Sequence, residues 1–229
     1  MVIAILLMIL IGVAGFAVQA QLKSVFDKYS KVLSPGGMTG AELAEKMLHD
    51  NGIYNVKVTH VKGHLTDHFN PVTMTVNLSD SVYTSRSVAA AAVACHECGH
   101  AVQHAVGYGP IKMRSRLVPI VSVASQMSTW VVMLGLILMV STNNPIVAYI
   151  GVGMVALTAL FSIVTLPVEY NASERALAWL QSSGTLQGSE VDGARESLRW
   201  AARTYLVAAL SAIATLLYYV MMIMSARRD

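Results

Sequence analysis

An HExxH run, His96-Glu97-Cys98-Gly99-His100, lies within a helix-forming stretch from Ser87 to Val106. An α-helix advances about 100° per residue, so residues four apart sit about 40° apart on one face. His96 and His100 therefore offer two imidazole nitrogens to a single metal ion. Glu97 sits at the edge of that face, where a carboxylate reaches a metal-bound water. The chemistry this spacing suggests is zinc-assisted peptide hydrolysis. A chance five-residue match on an ordinary helix is the competing explanation. It is weak here, because two histidines and a glutamate are costly to bury on an Ala/Val-rich helix without a partner.

Cys95-His96-Glu97-Cys98 also reads as a CxxC, which could be a redox dithiol or half of a zinc ribbon. On the helical wheel both thiols point away from the His96/His100 stripe, Cys95 about 100° behind His96 and Cys98 about 160° from it. No second CxxC completes a ribbon, so these are expected to be packing cysteines. Two cysteines without a framework fit a reducing compartment.

The elements that must position this motif are set by composition. The chain has 229 residues, 55% hydrophobic and 13% charged, a charge content well below that of a soluble domain. No charged residue occurs from Leu117 to Val168, long enough for two spans of about 20 residues each. Ser141-Thr142-Asn143-Asn144-Pro145 interrupts that run with turn chemistry, as in a tight hairpin. Thr204 to Ala226 is a third uncharged span and Met1 to Gln19 a fourth. Ala17-Val18-Gln19-Ala20 resembles a signal-peptidase site, but no Lys or Arg precedes the apolar stretch, which is also long for a signal.

Basic residues orient the chain. Ten Lys and Arg fall between Lys23 and Arg116, four between Arg175 and Arg203, none in the hairpin, and two, Arg227 and Arg228, at the C-terminus. The positive-inside rule then puts the two richly basic segments in the cytoplasm, with the N-terminus, hairpin and C-terminus outside. The net charge of +3 is a topology signal, and no basic patch with interleaved aromatics points to nucleic acid.

The expected architecture is a mainly α membrane protein of about four transmembrane helices with a small cytoplasmic α+β zincin-like domain. Its divisions are helix 1 at 1–19, a metalloprotease domain at 20–116, a transmembrane hairpin at 117–166, a cytoplasmic helical segment at 167–203 and helix 4 at 204–226. Thr39 with Glu42 forms a capping box for a short helix that stops at Asn51-Gly52. Asn55 to Val61 and Val72 to Leu78 alternate apolar and polar residues and read as two strands, joined by a connection from Gly63 to Pro71. The Thr73, Thr75 and Asn77 face of the second suggests an exposed edge to which an extended substrate adds as a strand. Gln181 to Asp192 reads as a loop. A domain this small has little core of its own and is expected to lean on the membrane helices.

His60, His64 and His68 recur in and beside the connection, where Gly63 and the β pattern argue against a helical metal stripe, and surface or hydrogen-bonding roles are expected. His68 is the exception, a loop histidine suited to stabilising an oxyanion. Tyr83, Tyr108 and Arg175 are further candidates for that task. His104 shares the stripe of His96 and His100 but lies about 12 Å along the axis from His96, too far to join the same ion. It is expected beside the metal site or lining the substrate cleft.

Zinc needs a third protein ligand. The metzincin continuation would require Gly at 103 and His at 106, where the chain has Gln103 and Val106. Asp192-Gly193 lacks the Asn/Pro flank of the intramembrane metalloproteases. A glutamate from a second helix remains, and Glu169 follows Pro167, where a new helix is expected to start at the cytoplasmic end of the third span. Two spans separate His100 from Glu169 and return the chain to the same side. Glu169-Tyr170-Asn171-Ala172-Ser173 resembles the Glu-x-x-x-Asp signature of the glutamate zincins of the HtpX type, with Ser173 where their Asp stands. Glu174 lies about 140° around the helix from Glu169, so one of the two faces the HExxH helix.

Four runs together carry a fuller resemblance: Leu65–Pro71, Asn77–Ser79, His96–His104 and Leu166–Ala176. They are similar to the YugP-like family of neutral zinc metallopeptidases of bacterial membranes, over nearly the whole chain. The resemblance implies Zn²⁺, endopeptidase chemistry and a bacterial plasma membrane, with His96, His100 and Glu169 as ligands and Glu97 as the catalytic residue. Ser173 in place of Asp leaves a hydroxyl rather than a carboxylate to hold a ligand histidine.

The mechanism expected from these parts is hydrolysis by a zinc-activated water, with Glu97 as general base, on a polypeptide or membrane-protein substrate in a lipid bilayer. The alternative class is a non-catalytic zinc-binding membrane scaffold, which would not need Glu97. A zinc transporter is disfavoured, because no acidic residue or histidine lies within the uncharged spans.

Overall fold

The computed structural model describes residues 2–226, with side chains from 5 to 225. The topology expectation resting on Arg227 and Arg228 lies outside the described residues. The architecture is mainly helical with one small mixed sheet. Among the described residues, four helices are long and apolar enough to cross a membrane: α1 (Val2–Tyr29), α5 (Gly109–Thr142), α6 (Ile146–Ser182) and α7 (Ser189–Ala226). At 1.5 Å per residue the 37 residues of α6 extend about 55 Å, well beyond the ~30 Å hydrocarbon layer. Between α1 and α5 come α2 (Gly40–Asp50), β1 (Lys57–His60), β2 (His68–Asn70), β3 (Thr75–Leu78), α3 (Asp80–Tyr83) and α4 (Val88–Ala105).

The residues fall into two compact units. One comprises residues up to 17, 113–166 and from 204; the other comprises 18–112 and 167–203. In the first, α5 and α6 approach at backbone distance. A Cβ on Gly135 would overlap the Ala148 backbone, and one on Gly151 would lie 2.7 Å from the Val132 nitrogen. Small residues that admit such contacts replace the hydrophobic drive between helices in a membrane. The hairpin expected at Ser141–Pro145 forms as read: α5 ends at Thr142, Asn143 turns with φ +56, and Asn144 Oδ1 accepts from the Ile146 N–H at 3.0 Å.

The second unit is built around α4. The Ser87 hydroxyl caps it by accepting from the Ala90 N–H at 3.2 Å, and Gly107 at φ +68 turns the chain away after it. Of its 18 residues 14 are buried, so it is wrapped on nearly all sides rather than along one stripe. Its alanines permit this, because short side chains let Leu43, Met47 and Leu48 of α2, Val76 and Leu78 of β3, and Ala176 and Leu180 of α6 close in around it. The expected Thr39 capping box is present, with Thr39 Oγ1 accepting from the Glu42 N–H and Glu42 Oε2 accepting from the Thr39 N–H.

Three local expectations are corrected. The Gly63–Pro71 connection contains a strand, β2, and the sheet order is β1-β3-β2, with β3 parallel to β1 and antiparallel to β2. β3 is thus paired on both sides, which rules out a substrate adding to its edge. It also starts at Thr75 rather than Val72, after a turn in which Met74 has φ +52. Pro167 does not open a helix, since α6 runs unbroken through it. The uncharged residues before it can satisfy their backbone groups in an apolar setting only by staying helical, so the lost N–H is tolerated. The Gln181–Asp192 loop shrinks to residues 183–188, because α6 continues to Ser182 and α7 begins at Ser189.

Both cysteines are fully buried in this core, Cys98 Sγ lying 3.5 Å from the Ala44 carbonyl. Burial pushes both thiols far above the ordinary thiol range, so they are neutral packing groups, as their wheel positions suggested. In detergent at pH 8, iodoacetamide should leave Cys95 and Cys98 unmodified in the native protein and alkylate both after denaturation. Rapid alkylation of the native chain would contradict this packing.

Candidate metal centre

Three side chains from two helices converge. His96 and His100 lie one turn apart on α4, their rings 4.8 Å apart and nearly perpendicular. Glu169 reaches them from α6, its Oε2 lying 3.2 Å from His96 Nε2 and 3.6 Å from His100 Nε2. Donor atoms bound at about 2.1 Å in a tetrahedron are separated by about 3.4 Å, so the two distances to Glu169 are compatible with a shared zinc ion, all three donor atoms lying within 4.8 Å of one another. The donor chemistry also fits, since two imidazoles and one carboxylate leave a fourth position open. Glu169 is 1% exposed, and a carboxylate so deeply buried requires a partner. This is the group of potential metal ligands found among the described residues.

The far sides of both rings are also held. His96 Nδ1 lies 3.1 Å from Ser173 Oγ, one turn beyond Glu169 on α6. His100 Nδ1 lies 3.1 Å from Gln103 Oε1 on α4. Each histidine thus turns Nε2 towards Glu169 with Nδ1 occupied elsewhere, the pattern of imidazoles oriented for a metal. Glu97 stands outside the cluster. Its Oε2 accepts from the Phe69 N–H at 3.0 Å, so the candidate catalytic carboxylate is tied to β2, the strand that composition alone did not reveal.

The other candidate residues take these positions. His68 is exposed on β2, with its Nδ1 2.8 Å from the Thr66 carbonyl. His104 is exposed with its ring 5.8 Å from that of Phe69. His60 pairs with Asp80 at 2.6 Å, Tyr83 lies against the His60 ring, and His64 lies edge-on to Phe26. None of these joins the cluster. Arg175 Nε donates to Asn171 Oδ1 at 2.9 Å. Glu174 is exposed, on another face of α6 from the buried Glu169. Asp192 is exposed in the first turn of α7, and Gly193 beside it is where the Tyr29 ring packs. Gln103, Asn171 and the Phe69 backbone were not singled out by the sequence. Gln103 sits three residues after His100, on its helical face, which is the signal that would have found it.

Gly99 explains why α6 comes so close. A Cβ there would lie 2.5 Å from the Ala172 carbonyl oxygen and 3.1 Å from its Cα, so the two helices meet backbone to backbone at the residue directly before His100. Gly99→Ala keeps all three ligands but must push the helices apart. It should lower zinc bound per chain in metal analysis and cost about 1–3 kcal/mol of stability by overpacking. Wild-type zinc content in that variant would show that the close approach is dispensable.

Residues 3–224 match the model of a family described as "Putative neutral zinc metallopeptidase". The "Putative membrane protease YugP" of Bacillus subtilis (strain 168) is 42% identical over 217 residues, which cover 94% of each chain. No solved structure matches the chain. With the family match running nearly end to end and the ligand cluster lying inside it, the chain belongs to the putative neutral zinc metallopeptidase family.

Proposed function

We propose that this chain is a membrane-bound zinc endopeptidase that uses His96, His100 and Glu169 as ligands and Glu97 as general base. The observation that carries the reading is the convergence of two Nε2 atoms and one buried carboxylate oxygen at 3.2 and 3.6 Å, next in sequence to a second carboxylate that is no part of the cluster. Bound zinc would supply a Lewis acid that polarises the scissile carbonyl and makes water nucleophilic near neutral pH. Glu97 accepts the proton from the attacking water and passes it to the leaving amine. The Phe69 N–H, which donates to Oε2, holds the carboxylate in one orientation while it does so. The Ser173 hydroxyl and the Gln103 amide keep the two imidazoles turned towards the ion.

The substrate class proposed is polypeptide, membrane proteins included, and the site proposed is the cytoplasmic face of a bacterial plasma membrane. The relative's description as a membrane protease, the four candidate spans and the distribution of basic residues support this placement.

Glu97→Gln should retain stoichiometric zinc and lose cleavage of unstructured polypeptides by at least about a hundredfold, the scale of a lost general base. Glu169→Ala should strip the metal, whereas Glu174→Ala should leave it. Full activity in Glu97→Gln would end the enzyme reading and leave a zinc-binding scaffold.

The native cysteines are buried, so single cysteines report topology cleanly. Placed at Lys57 and at Gln187, both exposed, they should be protected from impermeant thiol reagents in intact cells. One at Asn143 should label. Labelling at 57 with protection at 143 would invert the orientation.

A further inference from the structure

Gln103 is completely buried, and its amide has two unlike ends. Nε2 lies 2.7 Å from the Val168 carbonyl and 3.0 Å from Asn171 Oδ1, while Oε1 faces His100 Nδ1 at 3.1 Å. Which end points where is usually a matter of assignment. Here two fixed groups decide it. The Val168 carbonyl can only accept. Arg175 Nε, 2.9 Å from Asn171 Oδ1, can only donate. Turning Asn171 over would set its NH₂ against the Arg175 donor. Turning Gln103 over would set its oxygen against the Val168 carbonyl and Asn171 Oδ1. With both amides fixed, Gln103 presents an oxygen to His100, and that oxygen is satisfied only by a proton on Nδ1.

We propose that Arg175, Asn171, Gln103 and the Val168 carbonyl form a hydrogen-bond relay of fixed polarity, with Asn171 Oδ1 accepting from both Arg175 and Gln103, that holds a proton on His100 Nδ1 before any metal arrives. Gln103 is then a positioning residue and Arg175 the distant donor that fixes which way the Asn171 amide is turned. This deepens the zinc-site reading and rests on it. His100 Nε2, 3.6 Å from Glu169 Oε2, is then the nitrogen left to meet the carboxylate or the ion. At His96 the Nδ1 partner gives no such instruction, because Ser173 Oγ both donates and accepts. The two ligands therefore differ: one is preset, while the other adapts when the ion binds. The partner at His100 is also a neutral amide rather than the usual carboxylate, so it orients the ring without adding charge beside the metal.

The test uses the full-length protein in detergent, stripped of metal with a chelator. Long-range ¹H–¹⁵N spectra of its histidines are recorded at a pH where the imidazoles are neutral. His100, assigned by its loss in His100→Ala, should show the Nδ1–H pattern. Gln103→Leu should give a mixture of tautomers, and zinc affinity measured against a competing chelator should fall about 10–100-fold, the usual cost of losing such a partner. Arg175→Met, which changes a half-exposed residue and spares the core, should shift the tautomer ratio the same way with a smaller loss of affinity. Asn171→Asp keeps an oxygen towards both donors and should preserve the Nδ1–H form, whereas Asn171→Leu should not. A purely structural role would move thermal stability but leave the tautomer unchanged in all of these variants. An Nε2–H His100 in the wild type, or an unchanged tautomer in both Gln103→Leu and Arg175→Met, would overturn the relay. If Glu169→Ala kept full zinc affinity, the metal-site reading would fail instead, since the tautomer is read without metal.

Discussion

Glu169 stands 73 residues from His96 in the chain, and the candidate site depends on two helix backbones touching at one point. Gly99 and Ala172 supply that point. Because α6 lies against α4 there, the segment Val168–Arg175 passes along the face that carries His96, His100 and Gln103. Glu169 thereby meets His96 and His100, Ser173 meets His96, and Asn171 meets Gln103. A larger residue at 99 would interpose a side chain, and a carboxylate reaching across the added gap would no longer sit at ligand spacing. The tight contact also keeps water from Glu169, whose charge then depends on the imidazoles and on the ion they would share.

The burial of α4 follows the same logic. Ala89 to Ala92 present so little side chain that α2, the sheet and α6 surround the helix, and Cys95 and Cys98 fill the remaining core positions as small apolar groups. Such a helix has few rotamers to choose between, so the two candidate ligand histidines start from a rigid base. The sheet contributes one thing to the chemistry. It brings the Phe69 N–H to Glu97, and it does so at β2, one of the two edge strands in the order β1-β3-β2.

What the sequence revealed was local or compositional. The His96/His100 face follows from helix geometry, the Thr39 box and the Asn143 turn follow from neighbouring residues, and the four spans follow from runs without charge. Glu169 was legible because exclusion of other ligand patterns, and a resemblance carried by the surrounding residues, both led to it. What stayed hidden depended on distant pairing. β2 is three residues long and alternation over three residues is no signal, so the edge was assigned to β3, which is the central strand. Pro167 was taken as a helix start because its ring favours that position, yet the apolar surroundings of the preceding turn kept the helix intact. Gln103 was used only to exclude another pattern, since its role appears once Val168 and Asn171 are beside it. Polar side chains buried against a second element cannot be told from surface ones by their own neighbours in the chain.

The order in which the parts leave the ribosome gives the α5–α6 hairpin a further significance. His96, Glu97 and His100 are made first, Gly109 to Thr142 and Ile146 onward follow, and Glu169 emerges after both uncharged stretches have been translated. A chain halted or misinserted at the hairpin holds His96, Glu97 and His100 but lacks Glu169. On the proposed reading, zinc capture would be coupled to completed insertion, and the active centre would be withheld from any chain that had not yet reached its place.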